Sequence, residues 1–487
     1  MREVPTLTDR SSNGQVHPPA DPPATLARGP WGRLGSTFGS LSVRDFRYLW
    51  FGSFASQIGM WVQQVAVGWL AYDLTGSATF LGVVVTARSL SSVAVTLPAG
   101  AFADRWDRRR LILLSQVMTL ANAAVLAWLV ATGAIAPWHL AVASFISGAS
   151  HSLNMPARQS LGPQLVGHRH IANAVALNSI SFNTSRVLGP SIAGILVWIA
   201  ALAVSPGSGE DGSLLGNLAL CFEVQAGLML VAVACTIAMS SSGGARSERP
   251  RGSLWTNLVD GLRYVRHTGP VRAVFLTATV PILVGSVYAQ FMPVFARDVL
   301  DVGPSGLGAL MSAIGFGSMI GAFALAALSN YPRKGLVMMG TGVASGVSLA
   351  AFAASQSFGL SLVALAATGF SLVVCLAIGQ TLLNLMVPDE YRGRVLSIWS
   401  MIWSLEAVTV LPAGWLADQA GAPVTVLICG IVVLVYFLIV GSRKGQVRDY
   451  RDDFGSLEAP PPDPRLTTAT GDRSAPNGPA RAPGQAP

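Results

Sequence analysis

"GAFADRWDRRR", Gly100 to Arg110, follows directly on an apolar run and sets Asp104 and Asp107 among four arginines, with no lysine. A charged knot at the end of a greasy helix marks a membrane–water boundary, because basic residues near span ends favour the cytoplasmic side. The rest of the chain agrees. Of its 487 residues 51% are hydrophobic and only 11% charged, and the mean hydropathy is +0.52. Apolar windows of about 20 residues, each long enough to cross a bilayer core, recur throughout. This composition sets the chain apart from soluble proteins of similar length, which divide into domains with polar surfaces. The four cysteines, Cys221, Cys235, Cys375 and Cys429, all lie in apolar windows without metal-ligand spacing and read as small core residues.

Apolar windows between Gly, Pro and charge clusters predict twelve helical spans. They fall near 47–72, 80–103, 110–132, 138–158, 171–203 and 216–239, then near 271–296, 305–329, 334–355, 359–386, 394–417 and 422–441. Basic residues crowd one set of junctions, among them Arg44, Arg105, Arg108, Arg158, Arg249, Arg333, Lys334, Arg392 and Arg443. The opposite set holds Arg297 with Asp73, Glu210, Asp211, Asp298, Asp301 and Asp418. Both termini are therefore expected in the cytoplasm. The same asymmetry accounts for the net charge of +8 and gives no support to nucleic-acid binding, which calls for a basic face on a water-soluble domain. With lysine only at 334 and 444, the chain points to a GC-rich genome and a bacterial inner membrane.

The expected organisation is a disordered cytoplasmic tail over 1–43, a six-helix half over 44–240, a cytoplasmic linker over 241–270, a second six-helix half over 271–442 and a disordered tail over 443–487. The tails are too poor in apolar residues to offset their ordering entropy. The linker ends in Leu254, Leu258, Leu262 and Val265 at helical spacing among arginines, the pattern of an interfacial amphipathic helix. An internal repeat supports two halves. "QSLGPQLV" at 159–166 resembles "QTLLNLMV" at 380–387, and 380 minus 159 is 221. Gly82 likewise pairs with Gly308 and Asp104 with Asn330, where 308 minus 82 is 226.

These residues carry a resemblance. "GAFADRWDRRR" resembles the loop motif between spans two and three of the major facilitator superfamily, G-x-L-A-D-R-x-G-R-[RK], with Phe102 in place of Leu and Asp107 in place of the second Gly. "RDFRYLWFGSFASQIGMWVQQVAVGWLAYDLTGSA" at 44–78, "NMPARQSLGPQLV" at 154–166 and "ALNSISFNTSRVLGPSIAG" at 176–194 are similar to bacterial exporters of the enterobactin-exporter-like and macrolide-efflux-like branch. The resemblance covers roughly 41–440 and implies an all-α membrane protein of twelve transmembrane helices in two six-helix halves. It carries a conformational latch onto Gly100, Asp104, Arg105, Arg108 and Arg109; the alternative is that the arginines only anchor a short cytoplasmic loop. "RVLGPSIAG" resembles the span-five antiporter motif, placed on Gly189, Pro190 and Gly194, with Ala193 replacing one usual Gly.

Polar residues within spans usually face the bundle or a wet cavity, because facing lipid is costly. Ser144, Ser147, His151, Asn154 and Arg158 form one stripe at steps of three and four, as do Ser179, Asn183 and Arg186. The superfamily lines its cavity with spans one, four, seven and ten. Gln57, Gln64, His151, Asn154, Arg186, Gln290 and Gln380 are therefore the candidate substrate path, against the alternative of plain hydrogen bonding between helices. His151 alone makes no metal site. Arg88, Arg186, Glu223 and Glu406 are ionisable and deep. Glu406 lies about 20 Å along its helix from Gly393 at 1.5 Å per residue, and Trp399 and Trp403 precede it at helical steps. One face would then offer two rings and a carboxylate to a lipophilic cation. Glu406 is the candidate proton-coupling group; its alternative is a buried ion pair with Arg88.

The reading that results is a monomeric secondary active exporter of a drug-like or siderophore-like molecule, working by alternating access with protons as coupling ion. It is not an enzyme and needs no cofactor or metal. No phosphate-binding G-x-x-x-x-G-K-[ST] loop is present to make it an ATP-driven pump. Its competitors are a nutrient importer on the same fold and a non-transporting membrane receptor or scaffold.

Overall fold

In lipid every backbone N–H and C=O must be bonded within its own segment, so apolar windows of this length fold as helices. The computed structural model describes residues 39–103, 107–166, 171–203, 210–240, 254–327, 331 and 333–442, and among them there is no strand. After a short 3-10 turn at Gly39–Ser42 the helices are α1 Arg44–Thr75, α2 Ala78–Ala103, α3 Arg108–Ala131, α4 Pro137–Val166, α5 Ile171–Ala203 and α6 Glu210–Ala238. Then follow α7 Leu254–His267, α8 Gly269–Leu283, α9 Gly303–Ala327, α10 Lys334–Ala354, α11 Phe358–Met386, α12 Asp389–Ser404, α13 Glu406–Ala420 and α14 Ala422–Ser442.

Local chemistry sets several ends. α1 stops at Gly76, whose φ of 60° suits a residue without a Cβ and lets its N–H reach Tyr72 O at 2.7 Å. Asp107, which departs from the loop motif, is the N-cap of α3 and accepts from Arg109 N at 2.9 Å.

By length and hydropathy, 8 helical stretches among the described residues are candidate membrane spans. α1 and α4 are long enough, at 32 and 30 residues, but their glutamines, serines, His151 and Asn154 make them more polar. α12 and α13 are each short, 16 and 15 residues, because the helix breaks at Leu405.

Helices α1 to α6 pack among themselves: α1 on α5 and α6, α3 on α4 and α6, α2 on α4. Helices α8 to α14 form a second group, with α11 against α8, α9 and α10, and α14 against α10 and α13. Two long seams join the groups, α2 along α13 and α5 along α9. Small residues let these backbones approach. On the α5–α9 seam, a Cβ on Gly308 would stand 2.6 Å from Gly194 Cα and 2.7 Å from Pro190 O. On the other, a Cβ on Gly82 would stand 3.0 Å from Leu411 Cα. Large apolar side chains such as Phe323, Val363 and Trp128 stay exposed, as a surface bathed in lipid allows. The amphipathic α7 docks on α12, where Tyr264 stacks on Tyr391 at 4.6 Å and Asp260 faces Arg394 at 3.6 Å.

Two expected spans are broken. α8 ends at Leu283 and the chain goes on through a 3-10 turn, Val287–Phe291, one short α turn and a π turn, Phe295–Val299. Pro281 and Pro293 lack the donors a continuous helix needs here. The second break, at Leu405, separates α12 from α13.

Candidate functional site

The two breaks face each other. Thr409 Oγ1, in the first turn of α13, donates to Leu283 O at 2.6 Å and so satisfies a carbonyl left free where α8 ends. Gln290 Nε2, on the 3-10 turn, donates to Glu406 Oε1 at 3.0 Å. Glu406 opens α13, where a carboxylate also complements the helix dipole. The same turn carries Tyr288, fully buried and within electrostatic reach of Arg186 on α5. Arg186 lies over the Trp61 ring at 5.9 Å. Gly189 makes that seat possible, since a Cβ there would come within 2.3 Å of Trp61 Cβ. One short irregular segment thus reaches a cation in the first group and holds a carboxylate in its own.

The break at Leu405 corrects two expectations. Trp399 and Glu406 are not on one continuous helical face, and Trp399 is buried in the second group's core, edge-on to Phe275 and against Gly379. It is not offered to a cationic ligand. The side chain of Trp403 lies outside the described residues. Nor is the Arg88–Glu406 ion pair formed: Gln290 holds the carboxylate, while Arg88 lies near His151, which also feels Arg158. α2 does run beside α13, but Arg88 reaches toward α4 instead.

Among the other candidates, Gln57 is buried, donating to Ser53 O at 3.1 Å and Ser181 Oγ at 3.3 Å. Asn154 Nδ2 donates to Ser115 Oγ at 2.8 Å. Both join helices. His151 and Gln380 are exposed and Gln64 is half-buried. Gly194 sits on the seam with Gly308, beside Pro190. Ser191 and Ser312 share a hydrogen bond across that seam at 2.7 Å. Of the latch residues, Asp104 and Arg105 lie outside the described residues, and Gly100 is in the last turn of α2. Arg108 is buried. Arg109 donates to Thr236 O at 3.0 Å and Ile237 O at 2.7 Å, closing the C-terminal end of α6 within its own group. Glu223 is exposed.

Two features were not anticipated. Gln63, beside the nominated Gln64, is a buried hub: it accepts from Gln225 Nε2 at 2.8 Å and donates to Ser147 Oγ at 3.1 Å, which also accepts from Asn122. The signal available was a set of amides deep in apolar windows. The second is a clasp between the groups at the end where α1 stops. Arg297 pairs with Asp73 at 2.6 Å, Tyr72 donates to Asp298, and Asp418 accepts from Ser77 Oγ at 2.8 Å, Ala78 N at 2.6 Å and Thr79 N at 3.0 Å. Asp418 of α13 thereby caps α2. An apolar groove of about 360 Å³ between α3 and α4, lined by Val125, Leu126, Leu129, Val142 and Ile146, borders the hub at Asn122.

Helix breaks flanked by polar and charged side chains at bundle depth are a recurrent feature of membrane transporters. Among the described residues no three His, Cys, Asp or Glu side chains are grouped to hold a metal. The chain belongs to the transmembrane secretion effector family, MFS_3, which it matches over residues 35–476. It is an MFS-type transporter, lodged in lipid and handling a small molecule, related to bacterial efflux and siderophore transporters. It is 25% identical over 395 residues to the multidrug efflux pump Tap of Mycolicibacterium fortuitum, covering 79% of this chain and 92% of Tap. It is 20% identical over 397 residues to macrolide efflux protein A of Streptococcus pyogenes, covering 81% and 94%. In fold it is similar to a bacterial homolog of the human lysosomal transporter Spinster, solved inward-facing, with TM-score 0.63 at 14% identity over 81% of this chain and 94% of that one.

Proposed function

We propose that the chain crosses a bacterial inner membrane twelve times, with both termini in the cytoplasm, and exports a small organic molecule by alternating access coupled to proton entry. Its halves are 44–240 and 271–442, joined by the 241–270 linker, with α1, α4, α5 and the α12–α13 pair crossing alongside the 8 candidate spans. The observation that carries this reading is the meeting of two helix breaks around Glu406. Irregular backbone at membrane depth is tolerated where it lines a cavity, and transporters place their substrate and ion sites there. Glu406 is the proposed proton carrier, with Gln290 its positioning partner. The Asp73–Arg297 and Asp418 contacts would close the outer end, giving an inward-facing state that leaves His151 and Gln380 accessible. The likeness to efflux proteins favours export.

Inside-out vesicles from a strain lacking its native pumps test this. With an acidified lumen, so that protons run outward across the vesicle membrane, and a panel of macrolides, cationic dyes and siderophores, vesicles carrying this chain should accumulate at least one compound, and a protonophore should abolish the accumulation. Flux that ran only outward from these vesicles would make the protein an importer. No substrate-dependent flux from purified protein in liposomes would favour a receptor or scaffold.

A further inference from the structure

We infer that the molecule carried is an organic anion with an aromatic or apolar body, its negative group seated on Arg186 against the Trp61 ring. The inference rests on the transporter reading and names its substrate class.

Arg186 sits mid-helix in α5, with no carboxylate within ion-pair distance and no hydrogen-bond acceptor among the described residues. Its neighbours are a ring, Trp61, and a neutral hydroxyl, Tyr288. Trp61 Nε1 is itself buried without an acceptor, as is the Ser185 hydroxyl without a partner. Arg186 is half-buried. A guanidinium withdrawn from bulk water and left unpaired is costly, and an arriving anion relieves that cost. Its planar fork matches a carboxylate in two parallel hydrogen bonds, while Trp61 and Phe182, edge-on at 6.4 Å, offer apolar surface beside it.

A second group of basic side chains lies elsewhere in the same half. Arg88, Arg158 and His151 lie together on α2 and α4, whereas Glu406 already has one oxygen engaged by Gln290. Trp399, one ring of the arrangement that would have favoured a lipophilic cation, is buried in the second group's core and separated from Glu406 by the break at Leu405.

Equilibrium dialysis of the purified full-length chain in nanodiscs against three probes of one shape tests the inference: 1-naphthoate, the neutral 1-naphthamide and the cationic 1-naphthylmethylammonium. The wild-type protein should bind naphthoate at least about tenfold tighter than the amide, and the ammonium weakest, as expected for one charge-assisted hydrogen-bonded pair. Arg186→Gln should weaken naphthoate about ten- to a hundredfold with the amide unchanged. Arg186→Lys should keep the order of the three probes with a smaller gap, since the charge remains and the fork is lost. Naphthoate binding no tighter than the amide in the wild-type protein, which needs no variant, overturns the inference; so does an undiminished preference in Arg186→Gln. Drug flux in the vesicle assay would survive either result, so the substrate class and the transport reading fail separately.

Discussion

The α1–α6 group and the α8–α14 group use polar side chains in opposite ways. In the first, long unbroken helices are cross-linked by neutral amides and hydroxyls: Gln63 to Gln225 and Ser147, Asn122 to Ser147, Asn154 to Ser115, Gln57 to Ser181. In the second, the core is Val271, Met338, Ile378, Leu382, Trp399 and Phe437, and it is the backbone that is irregular, at 284–299 and at Leu405. A hydrogen-bonded lattice resists shear between helices, whereas a broken helix can bend at the break with little loss of bonding. The comparison supports a proposed division of labour, with substrate held by the first group and the proton-linked movement made in the second.

The largest effect should come from the break itself. Glu406→Gln should reduce uphill, pH-driven flux in vesicles to background while downhill exchange persists and membrane expression stays near normal, because the substrate path is intact and only coupling is lost. Uphill transport by this variant would end the proposed division between the groups. Gln290→Leu should reproduce part of the loss, since it frees the carboxylate it positions.

A middle-sized effect is expected at the seams, where the groups are compared directly. Gly308→Ala forces a methyl onto Gly194 Cα and Pro190 O, and Gly82→Ala only brings one to 3.0 Å from Leu411 Cα. Overpacking of backbone against backbone costs about 1–3 kcal/mol. Gly308→Ala should therefore fall in that range by thermal melting in detergent, with Gly82→Ala well below it. Equal losses would mean that the two seams are equally tight, and the repeat that aligns these glycines would then describe the packing better than the distances do.

The smallest effect should be structural. Gln63→Leu removes the hub of the amide lattice and should lower stability by about 1–2 kcal/mol, given roughly 0.6 kcal/mol per interhelical hydrogen bond in membranes. Ser318→Ala, which loses a single interhelical bond, to Gly369 O, besides a bond to Ile314 O within its own helix, should cost less than half of that by the same melting measurement. A larger loss at Ser318 would reverse the contrast.

Much of the scaffold was legible in advance because it depends on window averages. The expected 334–355 and 422–441 spans meet helices Lys334–Ala354 and Ala422–Ser442, and the amphipathic linker segment is a helix that docks at a surface. The site was legible only in part. Arg186 was named from its depth and Gln290 from its place on a span the resemblance puts at the cavity, and each meets a group that spacing did not foretell, Trp61 and Glu406. Gln63 was passed over for its neighbour Gln64, since a polar stripe at steps of three and four does not say which side of a helix a partner will approach. Glu223 drew notice for its charge while Gln225, two residues on and so on nearly the opposite face, holds the buried bond.

Hydropathy and basic bias are properties of neighbours along the chain, and they were enough to fix a polytopic helical membrane protein and most helix ends. The helix break at Leu405 is of another kind. No Gly or Pro lies within four residues of it, and the contacts beside it come from Gln290 and Leu283, 116 and 126 residues from their partners. Whether a residue like Glu406 continues a helix or begins one is decided by the bonds its surroundings offer in exchange for the continuous ladder, and those partners meet only once the bundle is assembled.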